Sequence, residues 1–466
     1  MYTPGMSAYR LPAPDLPIFA WERKGMAWFY APGYLAAVPQ EERRQIEIEL
    51  NQEEPQTQLA AALCAHAVAA ENARRELFST PYRPVCLTIY LNNRCNLGCD
   101  YCYAMAAPAQ SLRRSADRVS LRAVVKAAKL VAENCRAGQA PFTLVLHGGG
   151  EPTLDWRLAD QILDMVEQVA EDNHLPVFRY IATNGVMPPD VADWLIERFD
   201  LIGLSCDGPP QIQNAQRPLK FPTGSAPFVE RLAHMARQAG KPVQIRATLT
   251  RCSMFCQEEI AEYLCRTLGP QEIRVEPVYQ GGRAGAQSSL ETGMVETYVA
   301  QFMQARRVAA GYGVNWGSAS TRLGSVYGPY CHIFRGVLNL VPGDRATACF
   351  RISQFDVHAD QRAMIGWPDR QTEAYFLDET RLQDLRQKLT PLPERCTNCF
   401  NQYHCTQGCP DRCPVDAPGE PFSPAADFRC QLQIGLVLAL MDELVPDPET
   451  NRIYTATLEA HRSGWQ

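Results

Sequence analysis

Long apolar runs are missing from this sequence. No window approaches the roughly 18 consecutive apolar residues of a membrane-spanning helix, and the opening stretch "MYTPGMSAYRLPAPDLPIF" lacks a basic segment followed by an apolar core. These absences exclude a helical membrane protein and lead us to expect a cytoplasmic chain without a membrane partner. Concentrated positive charge is also missing: the net charge is -6 and no long Lys/Arg cluster occurs, which argues against a nucleic-acid surface. Internal repeats and low-complexity tracts are absent as well. What remains is a chain of 466 residues, 46% hydrophobic and 21% charged, the composition of a globular enzyme with more than one domain. Its 18 cysteines fall in clusters at short spacings, which favours metal or cluster ligation over a disulfide framework.

Residues 1–84 read as a separate unit, a hairpin around "ERKG" followed by two helices, "PQEERRQIEIELNQEE" and "QTQLAAALCAHAVAAENARREL". From Val85 to about Tyr279 apolar runs alternate with amphipathic helices. The strands are "VCLTIYLNN", "FTLVLHGGG", "VFRYIATNG", "LIGLSCDG", "VQIRATLT" and "EIRVEPVY". That beat predicts a parallel sheet covered by helices. Periodicity leaves open whether it forms a partial barrel or a doubly wound sheet, but either places chemistry at the carboxyl ends of the strands. Those ends read "CNLGCDYC", "HGGGEP", "TNG" and "SCDGPP". A helix "MVETYVAQFMQARRVAAGYG", a cysteine-dense tail and a last helix "QLQIGLVLALMDELV" follow.

The loop after the first strand carries three thiols, Cys95, Cys99 and Cys102, and no further Cys or His follows until Cys135. A structural zinc site wants four ligands. Three suit a 4Fe-4S cluster with one iron left open to a small molecule. Two alternatives stand beside this: small buried hydrophobes, and a mononuclear zinc site.

The spacing Cys-x3-Cys-x2-Cys with Tyr101 before the last thiol resembles the radical S-adenosylmethionine superfamily. The resemblance implies an α/β fold with a partial (β/α)6 barrel, and a cluster on Cys95, Cys99 and Cys102 whose open iron binds S-adenosyl-L-methionine and yields a 5'-deoxyadenosyl radical. Tyr101 would pack near the adenine. Gly149, Gly150 and Glu151 of "GGGEP" would shape the methionyl site, and Asn184, Ser205 and Asp207 would complete the cofactor rim. Each of these has a bland reading as turn chemistry. His147 reads as a packed side chain.

The tail gives "CTNCFNQYHCTQGC", Cys-x2-Cys-x5-Cys-x3-Cys, and upstream Cys-x11-Gly-x5-Cys. With Cys430 this resembles the SPASM extension and its two auxiliary 4Fe-4S clusters, apart from five residues between Gly343 and Cys349 where the family usually has four. The resemblance assigns Cys396, Cys399, Cys405 and Cys430 to a distal cluster, and Cys331, Cys349 and Cys409 to a proximal one. "HIFRGV" supplies no fourth proximal ligand, which leaves that cluster open. Cys413 matches an additional cysteine of some relatives without an obvious ligand role, and Cys252, Cys256 and Cys265 are further candidates. A pair of zinc ribbons is the alternative for this field.

The expected domains are residues 1–84, a leader-peptide-binding module resembling a winged helix or else a cap; 85–315, the core; 316–440, the auxiliary-cluster segment; and 441–466, a tail. The expected function is hydrogen abstraction from a precursor peptide or protein, forming a thioether or carbon-carbon crosslink or an oxidised residue, with an electron donor such as flavodoxin or ferredoxin. An anaerobic sulfatase-maturating activity is the alternative. It ordinarily has an Asp after the cysteine matching Cys349, where this chain has Phe350. A cluster-based electron-transfer protein is a more distant one. No catalytic base is legible: Glu276, Arg283, Asp344 and Arg351 are possible, and none is favoured.

Overall fold

The computed structural model describes residues 9–10, 16–52, 54–104, 107–108, 118–219, 223–280, 282–285, 288–352, 363–409, 411, 413, 424–445 and 453–458. Parts of the expected cysteine-rich segment (353–362, 414–423) and tail (446–452, 459–466) lie outside the described residues.

The N-terminal unit builds on the expected hairpin, β1 (Phe19–Arg23) and β2 (Met26–Ala31), which turns at Lys24 and Gly25, both at positive φ. A third strand, β3 (Tyr34–Pro39), pairs antiparallel with β2, and α1 (Arg43–Glu49) and α2 (Gln58–Ser79) follow. Side chains of β2 alternate between two cores. Ala27, Phe29 and Ala31 pack with Leu63 and Ala67 of α2, whereas Met26, Trp28 and Tyr30 join the main core of the molecule.

The centre of the chain is a parallel sheet. Its strands are β4 (Cys86–Tyr90), β5 (Phe142–His147), β6 (Val177–Thr183), β7 (Leu201–Ser205), β8 (Val243–Leu249) and β9 (Glu272–Pro277). They lie side by side in sequence order, each parallel to the next. Sequence periodicity left the winding open. A doubly wound sheet reverses its strand order at a switch point, and this one does not, so it winds as a partial barrel. The barrel stays open because neither edge strand pairs with the other: β9 bonds to β10 (Asn315–Gly317), and β4 bonds to β11 (Val337–Val341).

Amphipathic helices cover the outer face: α3 (Leu121–Gly138), α4 (Trp156–Asp172), α5 (Pro189–Arg198) and α7 (Ala226–Gln238). α3 starts where the hydroxyl of Ser120 accepts from the Ala123 amide at 3.2 Å, and it buries Val124, Ala127, Ala128, Val131 and Cys135. α8 (Gln257–Tyr263) and α9 (Val295–Gly311) close the side beyond β9.

The cysteine-rich segment continues the same sheet. After β11 come β12 (Arg345–Thr347), β13 (Met364–Pro368) and β14 (Tyr375–Leu377), each antiparallel to its predecessor. The boundary expected near residue 315 is therefore spanned by β4–β11 hydrogen bonds. α10 (Glu379–Leu389), the cysteine loops and α11 (Pro424–Leu444) follow. The chain then returns to the N-terminal unit, where β15 (Tyr454–Thr457) pairs antiparallel with β3.

The N-terminal unit packs on the cysteine-rich segment. Phe400 lies 5.3 Å from the Trp21 ring, the Tyr30 hydroxyl contacts His404 Nε2, Tyr403 donates to Glu71 at 2.7 Å, and Arg23 pairs with Asp442. Its β3 edge carries β15, and its β1 edge pairs with Tyr9–Arg10. The outer strands of this sheet are thus Tyr9–Arg10 and β15.

Candidate active site

The carboxyl ends of β4 to β9 surround a cavity of about 500 Å³. Cys95, Cys99, Tyr101 and Cys102 line one side of it, with Gly148, Gly149, Gly150, Glu151, Asn184 and Ser205 beside them. The cavity continues past His147, Arg246 and Glu276 to Tyr279, Tyr327 and Tyr330, the residue before Cys331.

Glu151 ties the ends of β5 and β6 together. Its side chain accepts from the Thr183 hydroxyl (2.7 Å), the Asn184 amide (2.8 Å) and the Thr153 hydroxyl (2.8 Å), which compensates a carboxylate 2% exposed. Asn184 in turn donates to Asn96 Oδ1 at 2.8 Å and to Cys95 Sγ at 3.6 Å. The glycine turn passes under this loop. A Cβ on Gly150 would stand 2.0 Å from the Arg94 carbonyl oxygen and 2.4 Å from its amide nitrogen, so only glycine fits where backbone meets backbone.

Asp207 is fully buried and absent from the cavity lining. Its carboxylate accepts from Gln216 (2.8 Å), Arg217 (3.0 Å), the Thr248 amide (2.8 Å) and the Tyr101 hydroxyl. It acts on the rim through Tyr101 and Arg217, whose guanidinium stands 5.5 Å from the Tyr101 ring. Sequence reasoning set Asp207 beside Ser205 as a rim residue; the structure gives the two different stations, Ser205 on the lining and Asp207 behind it.

His147 stacks on Tyr90 with ring centres 5.8 Å apart, and its Nε2 accepts from Arg246 at 2.9 Å. Burial, reinforced by the Arg246 charge, pushes its pKa down to about 3, so the ring stays neutral at working pH. Of the possible catalytic groups, Glu276 lines the cavity. Asp344 bonds to the amide and hydroxyl of Ser120 at the start of α3, both at 2.7 Å, and Arg283 is exposed.

The thiols fall into three sets. Burial pushes Cys95 up to about 12 and Cys99 up to about 11. Cys331 lies within electrostatic reach of Cys409, Cys349 and Cys413, and Cys405 within reach of Cys399, Cys430 and Cys396. Cys413, without an obvious role in the sequence, thus stands with the proximal trio. Cys252 is exposed, Cys256 precedes α8 and Cys265 is buried in the turn after it. Among the described residues no group of three or more His, Cys, Asp or Glu side chains is set to hold a single metal ion. Thiolates that ligate separate irons of a cluster stand farther apart, and a cluster's positive iron offsets the burial that otherwise keeps these thiols protonated. The first set, three thiols on one loop at the cavity, has the donor chemistry of an iron-sulfur cluster.

Residues 89–263 match the family model described as Radical SAM superfamily. This part of the chain is a radical SAM domain. Among solved structures the fold is shared with anSMEcpe bound to AdoMet (16% identity, TM-score 0.59, 78% of this chain and 94% of that one). A second anSMEcpe structure, with AdoMet and the Kp18Cys peptide, gives the same identity and TM-score over 78% and 98% of the two chains. SuiB from Streptococcus suis, bound to precursor peptide SuiA, gives 14% identity and a TM-score of 0.50 over 83% and 86%. Among the described residues no helix is long and apolar enough to cross a membrane.

Three features of the site carried no local signal in the sequence. Gly282, in a "GGRAG" that only broke the strand-helix rhythm, lies against the cysteine loop: a Cβ there would stand 2.3 Å from the Cys102 carbonyl oxygen, and the next amide donates to that oxygen at 3.1 Å. Arg217 and Arg246 reach the cavity from α6 (Pro210–Gln216), just past its end, and from β8. Phe350 sits in an aromatic nest with Tyr103 (5.5 Å), Tyr330 (5.8 Å) and Tyr279 (6.2 Å).

Proposed function

We propose that this chain is a radical SAM enzyme of the SPASM type that oxidises a residue of a peptide or protein. One observation carries the reading. The cavity runs without a break from the Cys95, Cys99 and Cys102 loop to Tyr330 beside Cys331, so a substrate side chain placed in it lies between the first thiol set and the second.

Cys95, Cys99 and Cys102 would hold a 4Fe-4S cluster together with S-adenosyl-L-methionine. Bound there, the pair supplies a radical able to remove hydrogen from an unactivated C–H bond. The chain's own residues do the positioning. Gly149 and Gly150 bring backbone close to the ligand, Asn184 and Ser205 offer polar contacts, and Asp207 fixes Tyr101 and Arg217. Cys331, Cys349 and Cys409, joined by Cys413, would hold a proximal auxiliary cluster, and Cys396, Cys399, Cys405 and Cys430 a distal one. An electron donor such as flavodoxin or ferredoxin belongs to the same reading.

A peptide substrate is supported by the cavity's size and by the two neighbours solved with peptides. The N-terminal unit serves as a cap on the cysteine-rich segment, through Trp21, Tyr30 and Glu71. The sulfatase-maturating alternative asks for a carboxylate after Cys349, and Phe350 in its aromatic nest supplies none. The experiment is anaerobic incubation of the reduced, reconstituted protein with candidate precursor peptides and with sulfatase-derived peptides. The reading expects 5'-deoxyadenosine together with a precursor that has lost two hydrogens (about 2 Da). 5'-Deoxyadenosine with no such peptide product overturns the maturase assignment, and oxidation of the sulfatase peptide alone selects the alternative.

A further inference from the structure

Glu276 ends β9 and faces the cavity. Its Oε1 is held from behind, by the Ala319 amide at 2.6 Å and the Ser318 hydroxyl at 3.4 Å. Its Oε2 is buried and has no hydrogen-bond partner among the described residues. The other buried carboxylates around the rim are fully engaged: Glu151 by Thr153, Thr183 and Asn184, Asp207 by Tyr101, Gln216 and Arg217, and Asp155 by Arg94 and Arg118. Burial, with the Glu276 charge adding to it, pushes the phenols of Tyr279, Tyr298 and Tyr330 up, and the same charge acts on Arg322, which is stacked over the Tyr327 ring at 4.1 Å.

An ionised carboxylate only accepts hydrogen bonds, and a buried acceptor without a donor is rare in folded proteins. A donor that enters the cavity would complete it. Resting on the peptide-oxidation reading above, we propose that Glu276 is the base of the site: Oε2 accepts a hydrogen bond from the hydroxyl or thiol of the peptide side chain undergoing oxidation, and then takes its proton. In that step the substrate O–H or S–H bond breaks, an Oε2–H bond forms, and the electron pair stays on the substrate oxygen or sulfur. Ser318 and Ala319 hold the other oxygen, Oε1, in place.

Two measurements test this. The first uses binding without turnover: N-acetylcysteine methylamide and its serine and alanine counterparts are titrated into the AdoMet-loaded, unreduced protein and followed by ligand-detected NMR. The cysteine and serine probes should bind at least about fivefold tighter than the alanine probe, and Glu276→Leu should erase that preference. The second is turnover with reduced protein. Glu276→Gln should lower peptide oxidation at least about 100-fold, and Glu276→Asp should recover part of the product. Equal binding of the three probes, a preference that survives in Glu276→Leu, or undiminished product from Glu276→Gln overturns the proposal. A wild-type chain that shows the probe preference yet cleaves no AdoMet sinks the peptide-oxidation reading and leaves Glu276 as the donor-binding carboxylate.

Discussion

Asp207 shows how a single side chain can shape a site without touching its contents. It is inaccessible and balances the guanidinium of Arg217, so removing it strands a positive charge in the interior. Asp207→Ala should cost about 3–5 kcal/mol, read as a lower urea midpoint of the cluster-free protein; an unchanged midpoint would contradict the buried pair. His147 makes a pH-dependent prediction. Its folded pKa of about 3 lies below the ordinary value near 6.5, so between those values the unfolded chain binds the proton that the folded chain refuses, and stability falls as pH falls through that window. Wild type should lose about 1 kcal/mol more than His147→Gln between pH 7 and pH 5.5, by urea unfolding at the two pH values. Equal losses would remove the histidine from the account. At Cys413 the expectation is spectroscopic. Cys413→Ala should alter the EPR spectrum of the reduced, reconstituted protein, whereas the exposed Cys252→Ala should not; identical spectra for both would return the proximal site to three protein ligands.

At the scale of elements, pairing of distant segments does what local sequence does not announce. β11 lies beside β4, and β15 lies beside β3, across most of the chain. β15 covers an edge that would otherwise expose unpaired amides and carbonyls. A chain ending before Ile453 should therefore show a lower unfolding midpoint and concentration-dependent association in light scattering; a monodisperse chain of unchanged midpoint would make the strand dispensable. Trp28 on β2 is fully buried against Trp21, with ring centres 6.1 Å apart, in the layer that faces Phe400. Trp28→Ala should cost about 3–5 kcal/mol in chemical denaturation, and the loss should loosen the cap on the cysteine-rich segment.

Across the whole molecule, legibility followed the range of the interaction. The six core strands and their helices could be read because each carries its own period and boundaries, and Cys95 to Cys102 because ligand spacing is local. Barrel against doubly wound sheet could not be decided from periodicity, since strand order is a property of pairing. β3 went unread because "YLAAVP" is apolar on both faces and shows no alternation. The extension of the sheet through β11 and the meeting of Cys413 with Cys331 went unread because both join segments far apart in the chain or rest on loop geometry. Glu276 was named but could not be singled out, since only the structure shows which carboxylates are already engaged. The central claim is that the Cys95, Cys99 and Cys102 loop holds a cluster that meets S-adenosyl-L-methionine. Its most direct test is iron analysis with EPR of the anaerobically reconstituted, reduced protein, with and without the sulfonium compound. The account predicts about twelve irons per chain and a spectrum that changes on addition, with the triple Cys95, Cys99 and Cys102→Ala variant keeping about eight irons and losing the response. A variant with the same iron content and the same response as wild type would contradict it.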